Sequence, residues 1–136
     1  MSDIWTKSKR SEVMSKIRSA STKPEKIVRS FLFNHGLRFR LNVKSLPGKP
    51  DLVLKKYGTV IFVNGCFWHL HKNCSEGRIP NTNRAFWKKK LENNVNRDRI
   101  NINELGKLGW KVIVVWECEI EKRFSRTSTK IIRSLR

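Results

Sequence analysis

An α/β fold, with a mixed central sheet flanked by helices, follows from three observations. Thr59-Val60-Ile61-Phe62-Val63 is a continuous β-branched and aromatic run, as expected of a strand covered on both faces. A long helical stripe and then a second apolar run, Trp110 to Trp116, come after it, the strand–helix–strand order that joins parallel strands. Upstream, Asp51 to Leu54 is separated from Thr59 only by the turn Lys55 to Gly58, so that pair should run antiparallel.

Taken in order, residues 1–20 are polar and basic, with Val13, Met14 and Ile17 at helical spacing on a narrow apolar side; they read as an N-terminal arm preceding a single domain, 21–136. Thr22-Lys23-Pro24-Glu25 has the form of a capping box, and Ile27, Val28, Phe31 and Leu32 share one helix face before Gly36. Arg38 to Leu41 reads as a short strand, and Pro47-Gly48-Lys49-Pro50 as a turn. From Asn64 to Thr82 no periodicity survives, and Cys, His, Trp and Asn crowd the segment, so a functional or metal-tied loop is expected. The next helix, from about Asn83 to Leu108, aligns Trp87, Leu91, Val95, Asp98, Ile102 and Leu105 and stops at Gly109. One basic helix, Ile120 to Leu135, closes the chain.

The 136 residues suit one domain. Lys and Arg number 30 against 11 Asp and Glu, a formal charge of +19 that calls for a polyanionic partner and steeply salt-dependent binding. A bilayer is the competing polyanion, but no apolar run approaches the roughly 20 residues of a membrane span and no signal-peptide core opens the chain, so a cytoplasmic protein is expected. Three cysteines, an odd number, argue for metal ligation over a disulfide scaffold.

Two geometric expectations follow. A hairpin centred near Tyr57 places Asp51 opposite Val63, where the long loop begins. Parallel pairing of the two apolar strands brings their carboxyl ends together, so Cys118 approaches Cys66 at the kind of edge where sites are built. Cys66, His71, Cys74 and Cys118 then form a thiolate–imidazole set suited to a closed, structural zinc site, with His69 an alternative to His71. Asp51 with His69 can supply a Mg²⁺ ligand and a base for phosphodiester hydrolysis, although an Asp after Pro is also an ordinary turn residue. Phe67-Trp68 and Phe86-Trp87, among Lys72, Arg78, Arg84 and Lys88 to Lys90, are what stacking on bases requires; for Trp87, on the helix stripe, core packing competes. Asp98 on that stripe needs a partner, for which an arginine is expected. Glu25 is explained by capping, with the metal as its alternative, and His35 by a helix end.

The segments Pro47 to Asp51, Val60 to Cys66, Phe67-Trp68-His69, Asn81 to Trp87, Asn94 to Asp98 and Gly109 to Cys118, in this order, resemble the very short patch repair (Vsr) DNA mismatch endonucleases over roughly residues 10–118. The resemblance implies a restriction-endonuclease-like core, Mg²⁺-dependent nicking of double-stranded DNA 5′ to the thymine of a T:G mismatch, and a structural Zn²⁺ at Cys66, His71, Cys74 and Cys118. It implies Asp51 as a Mg²⁺ ligand with the Val63 carbonyl a second candidate, and His69 as general base. Phe67, Trp68 and Trp87 would intercalate, Met14 and Ile17 would approach from the minor groove, and Lys90 and Asn94 would contact bases. The best-known member of the family carries Thr-His where this chain has Val63-Asn64, the histidine assisting catalysis there. Asn64 therefore occupies a catalytic position without an imidazole, and one extra residue precedes Cys74. A monomer fits a single-strand nick, with repair-pathway proteins as possible partners. Restriction of intact duplex on the same scaffold, or a non-catalytic zinc-stabilised binding module, are the rival readings.

Overall fold

The computed structural model describes residues 23–72 and 74–135. The basic arm with Met14 and Ile17, and Thr22 of the capping box, lie outside the described residues.

Helix α1 (Lys23–Asn34) buries Pro24, Val28 and Leu32 and carries Glu25 in its first turn. It ends as its sequence dictates: Gly36 takes φ +75, its N–H donates to Phe33 O, and the Leu37 N–H donates to Leu32 O, a Schellman closure. Strands β1 (Arg40–Leu41), β2 (Leu52–Leu54) and β3 (Thr59–Asn64) follow, then the long helix α2 (Arg84–Lys107) and strand β4 (Lys111–Trp116). The same closure recurs after α2. Gly109 at φ +93 donates to Gly106 O and Trp110 to Leu105 O, turning the chain directly into β4.

The sheet has the order β1-β2-β3-β4, antiparallel except for the parallel β3–β4 pair, and is mixed as expected. Val28 and Leu32 of α1, Ile120 and Ile131 pack on one face with Leu52, Leu54, Ile61, Ile113 and Val115. Leu105 of α2 packs on the other with Val53 and Val60. Each fully buried aliphatic side chain contributes on the order of 1.5–3 kcal/mol, and together they fix the sheet between its two helical layers.

Two expectations are corrected. The β2–β3 connection is a short 3-10 turn, Lys55–Tyr57, closed by Gly58 at φ +57, so the hairpin is centred between Lys56 and Tyr57. Leu52 pairs with Ile61, and the register carried one step on sets Asp51 across from Phe62, not Val63. The C-terminal segment is two helices, α3 (Glu117–Lys122) and α4 (Phe124–Ser134), broken at Arg123 with φ −140 and ψ 47. Beyond the break Phe124 packs edge-on against Phe31 of α1, with ring centroids 5.4 Å apart. Among the described residues no helix is long and apolar enough to cross a membrane.

Candidate active site and metal centre

Parallel pairing ends with Asn64 beside Trp116, and each strand is followed two residues later by a cysteine, Cys66 and Cys118. The loop after β3 is tightly wound: the His69 N–H donates to Gly65 O, Leu70 to Phe67 O and His71 to Cys66 O. Leu70 holds φ +47, a left-handed conformation costly for a bulky side chain, which sends His69 and His71 in different directions. Gly77 allows the return of the loop. A Cβ there would lie 2.2 Å from the His71 carbonyl oxygen.

The ligand atoms of Cys66, His71, Cys74 and Cys118 lie within 4.8 Å of one another. His71 Nδ1 is 3.6 Å from Cys66 Sγ and 3.4 Å from Cys118 Sγ. Tetrahedral bonds of ~2.3 Å to sulfur and ~2.0–2.1 Å to nitrogen give S···N edges near ~3.6 Å, so the donor set fits such an ion. The His71 ring is stacked on Trp116 at 4.1 Å, which fixes its plane. Burial pushes the Cys66 thiol up to about 12, whereas the Glu76 backbone N–H lowers Cys74. Three thiols converging on one point are compatible with a dication that would hold them as thiolates. His69, the alternative from the sequence, is not in this group.

His69 turns instead toward α2, where its Nδ1 lies 2.5 Å from Asp98 Oδ2. The expected arginine partner of Asp98 is replaced by this imidazole. A carboxylate opposite Nδ1 favours the neutral tautomer with its proton on Nδ1, the one that leaves a lone pair on Nε2 at the other edge of the ring. Asp51 Oδ2 accepts from the Val63 N–H at 2.7 Å, preserving the predicted contact despite the shifted register. Burial raises the Asp51 carboxyl from 3.8 to about 6, only partly opposed by the Val63 N–H and by the charges of His69 and Lys49. A half-buried carboxylate held at higher energy by desolvation is a fitting ligand for a hard dication.

Phe67, Trp68 and Trp87 form one aromatic cluster, with centroids 5.1 to 6.0 Å apart, and Phe86 stands against Trp87 at 60% exposure. Trp87 therefore joins the loop aromatics rather than the core. Asn94 Nδ2 donates to Trp68 O at 3.2 Å, bracing the loop on α2, and Lys90 lies half-buried one helical turn before it. An open depression of about 450 Å³ beside the loop after β3 is lined in part by Arg78 and Arg84. Glu25 sits half-buried in the first turn of α1.

A profile of the family described as DNA mismatch endonuclease Vsr matches residues 2–76. The DNA mismatch endonuclease Vsr of Escherichia coli is 42% identical over 135 residues, covering 99% of this chain and 86% of that protein. This chain belongs to the Vsr DNA mismatch endonuclease family. Another relative, the type II nicking enzyme V.NmeAIP of Neisseria meningitidis serogroup A, is 55% identical over 123 residues, 90% of this chain and 87% of its own length. Among solved structures, the catalytic domain of homing endonuclease I-Bth0305I superposes with a TM-score of 0.56 at 22% identity, covering 84% of this chain and 94% of that domain. That likeness places the Vsr-family chain on an endonuclease fold. Membership makes it a DNA endonuclease with DNA as its substrate.

Sequence reasoning named Asp98 and Asn94 without the contacts they make in this Vsr-family site, and assigned no role to Trp116. Asp98 pairs with the histidine 29 residues before it, a contact set by how α2 lies across the sheet. Its signal was a carboxylate on an apolar stripe together with a histidine lacking a partner. Trp116 as the platform for His71, and Asn94 as a brace, left no signature beyond residue type.

Proposed function

We propose that the chain nicks one strand of double-stranded DNA on the 5′ side of the thymine in a T:G mismatch, by Mg²⁺-dependent hydrolysis of the phosphodiester. The observation that carries this reading is His69. Its ring is oriented by Asp98, it stands close enough to Asp51 for the charges to interact, and it directly follows Phe67-Trp68 in the aromatic cluster.

His69 Nε2 takes a proton from the attacking water while Asp98 holds the ring and stabilises the imidazolium that forms, an arrangement worth roughly 10²–10⁴ in rate. Asp51 would hold Mg²⁺, with the Val63 carbonyl a second ligand, and the chemistry so supplied is charge stabilisation on the non-bridging phosphate oxygen. Cys66, His71, Cys74 and Cys118 would hold Zn²⁺ as a closed structural site, keeping the loop that carries His69 in place. Asn64 and Glu25 are the remaining polar candidates around the reaction. Phe67, Trp68 and Trp87 enter the stack beside the mismatch, where unstacking costs least, with Lys90 and Asn94 contacting bases and Met14 and Ile17 meeting the minor groove. A monomer suffices for a nick in one strand.

Cleavage of end-labelled duplexes with Mg²⁺, comparing a T:G mismatch in several contexts with the paired control, tests the reading. A single nick beside the mismatched thymine supports it. Cutting of the paired control on both strands would mean restriction instead, and uncut DNA that is still bound would mean a binding module.

A further inference from the structure

On the α2 side of the sheet, Phe62, Ile102 and Val114 wall a cavity of about 10 Å³ whose other linings are Asn64, Asp98 and Asn101. That is room for the centre of one water molecule, and a buried water needs two to four polar partners, which these three side chains supply. Asn64 is only 7% exposed, and its amide makes no hydrogen bond to the protein among the described residues. No buried side-chain nitrogen or oxygen among the described residues lacks a partner, so the Asn64 amide is not sealed off but reaches water-accessible space, and the cavity is where it can meet a water. Asp98 uses Oδ2 on His69, which leaves its other oxygen to accept. Asn101 packs along the turn leading to Asp51: a Cβ on Gly48 would lie 2.9 Å from its Cβ and 3.0 Å from its amide nitrogen, so the close approach of that backbone holds the side chain in place.

We propose that one water molecule is bound in this cavity by Asn64, Asp98 and Asn101, and that Asn64 and Asn101 are positioning residues for His69, acting through that water and the Asp98 carboxylate. The inference rests on His69 being the base, as set out above. The water donates to the second oxygen of Asp98 and accepts from an asparagine amide, which locks the plane of the carboxylate so that Oδ2 stays aimed at Nδ1. Without it the carboxylate rotates and the imidazole loses its register with the scissile phosphate. Asn64 thus serves the reaction from behind the dyad.

Two measurements on the full, metal-loaded chain test this. A high-resolution crystal structure should show one ordered water within about 3.2 Å of all three side chains; a cavity without it overturns the proposal. In steady-state nicking of a T:G duplex, Asn64→Val and Asn101→Leu should each lower kcat about ten- to a hundredfold, as misplacement of a reacting group does, with KM unchanged. Asn64→Thr has the shape of the valine variant but keeps a hydroxyl for the water, and should recover about tenfold of the loss. The double variant should be no worse than the poorer single, because both remove the same water. Equal loss in Val and Thr, or additive losses, would show a packing role only and refute the bridge. His69→Ala is measured alongside: full activity there refutes the base itself, whereas an inactive His69→Ala with a dry cavity refutes the water alone.

Discussion

Replacing Asp51 by asparagine is expected to stabilise the Mg²⁺-free protein while abolishing cleavage. The carboxyl is raised from 3.8 to about 6, chiefly by burial, so its ionised form is disfavoured in the native state. For an acid raised on folding, the stability associated with its proton is fully present below about pH 4 and is lost as the pH climbs through about 6. Above that, the native protein carries a penalty of about 3 kcal/mol that asparagine, a neutral side chain of the same shape able to accept from the Val63 N–H, does not incur. For a chain of this length ~3 kcal/mol corresponds to a rise in Tm of about 10 °C. Thermal unfolding followed by circular dichroism at pH 8, in buffer free of Mg²⁺ and of chelator so that an ion held by the cysteines is not stripped, should show that rise. At pH 5 the difference should fall to about half, and added Mg²⁺ should raise the Tm of the wild type only. A variant no more stable than the wild type at pH 8, or a difference that does not shrink toward pH 5, would refute the desolvation argument.

Three further outcomes are expected. His69→Ala and Asp98→Asn should each reduce nicking by roughly 10²–10⁴ with affinity for the mismatched duplex retained, measured by fluorescence anisotropy beside single-turnover cleavage; full activity in either removes that residue from the mechanism. Cys118→Ala should lose both bound zinc, by metal analysis, and the cooperative unfolding transition, since ligation and folding are coupled; retention of both would dismiss the metal site. Trp68→Ala should narrow the gap between mismatched and paired duplex in binding, because the wedge acts only where unstacking is cheap; an unchanged ratio would assign Trp68 to packing alone.

The elements legible in the sequence are those whose signal is local. The β3 run, the α2 stripe with its Gly109 stop and the apolar β4 run declare themselves by periodicity and punctuation, and from them the parallel pair and the convergence of Cys66 with Cys118 follow. The part that was not legible depends on small angles acting over long separations. His71 and His69 are equally placed by spacing, and only the left-handed turn at Leu70 sends one to the cysteines and the other to α2. Asp98 found a histidine rather than an arginine because α2 lies with that face over the end of β3. The half-residue shift in the β2–β3 hairpin came from its 3-10 turn, and the break at Arg123 has neither glycine nor proline to announce it.

Trp68 and His69 are consecutive residues, and consecutive Cα atoms stand about 3.8 Å apart, close to the ~3.4 Å rise of one base step. With Trp68 as the wedge and His69 as the base, as proposed above, inspection and incision would be built into a single stroke. There is no linker whose length sets how far from the lesion the strand is opened, and none that could be stretched to move the break. A wedge that had entered the stack would already have chosen the phosphate to be broken, so the readiness of the duplex to admit it would act as a filter beside the proposed base contacts. On that reading intact DNA would be protected by the stiffness of its own stack.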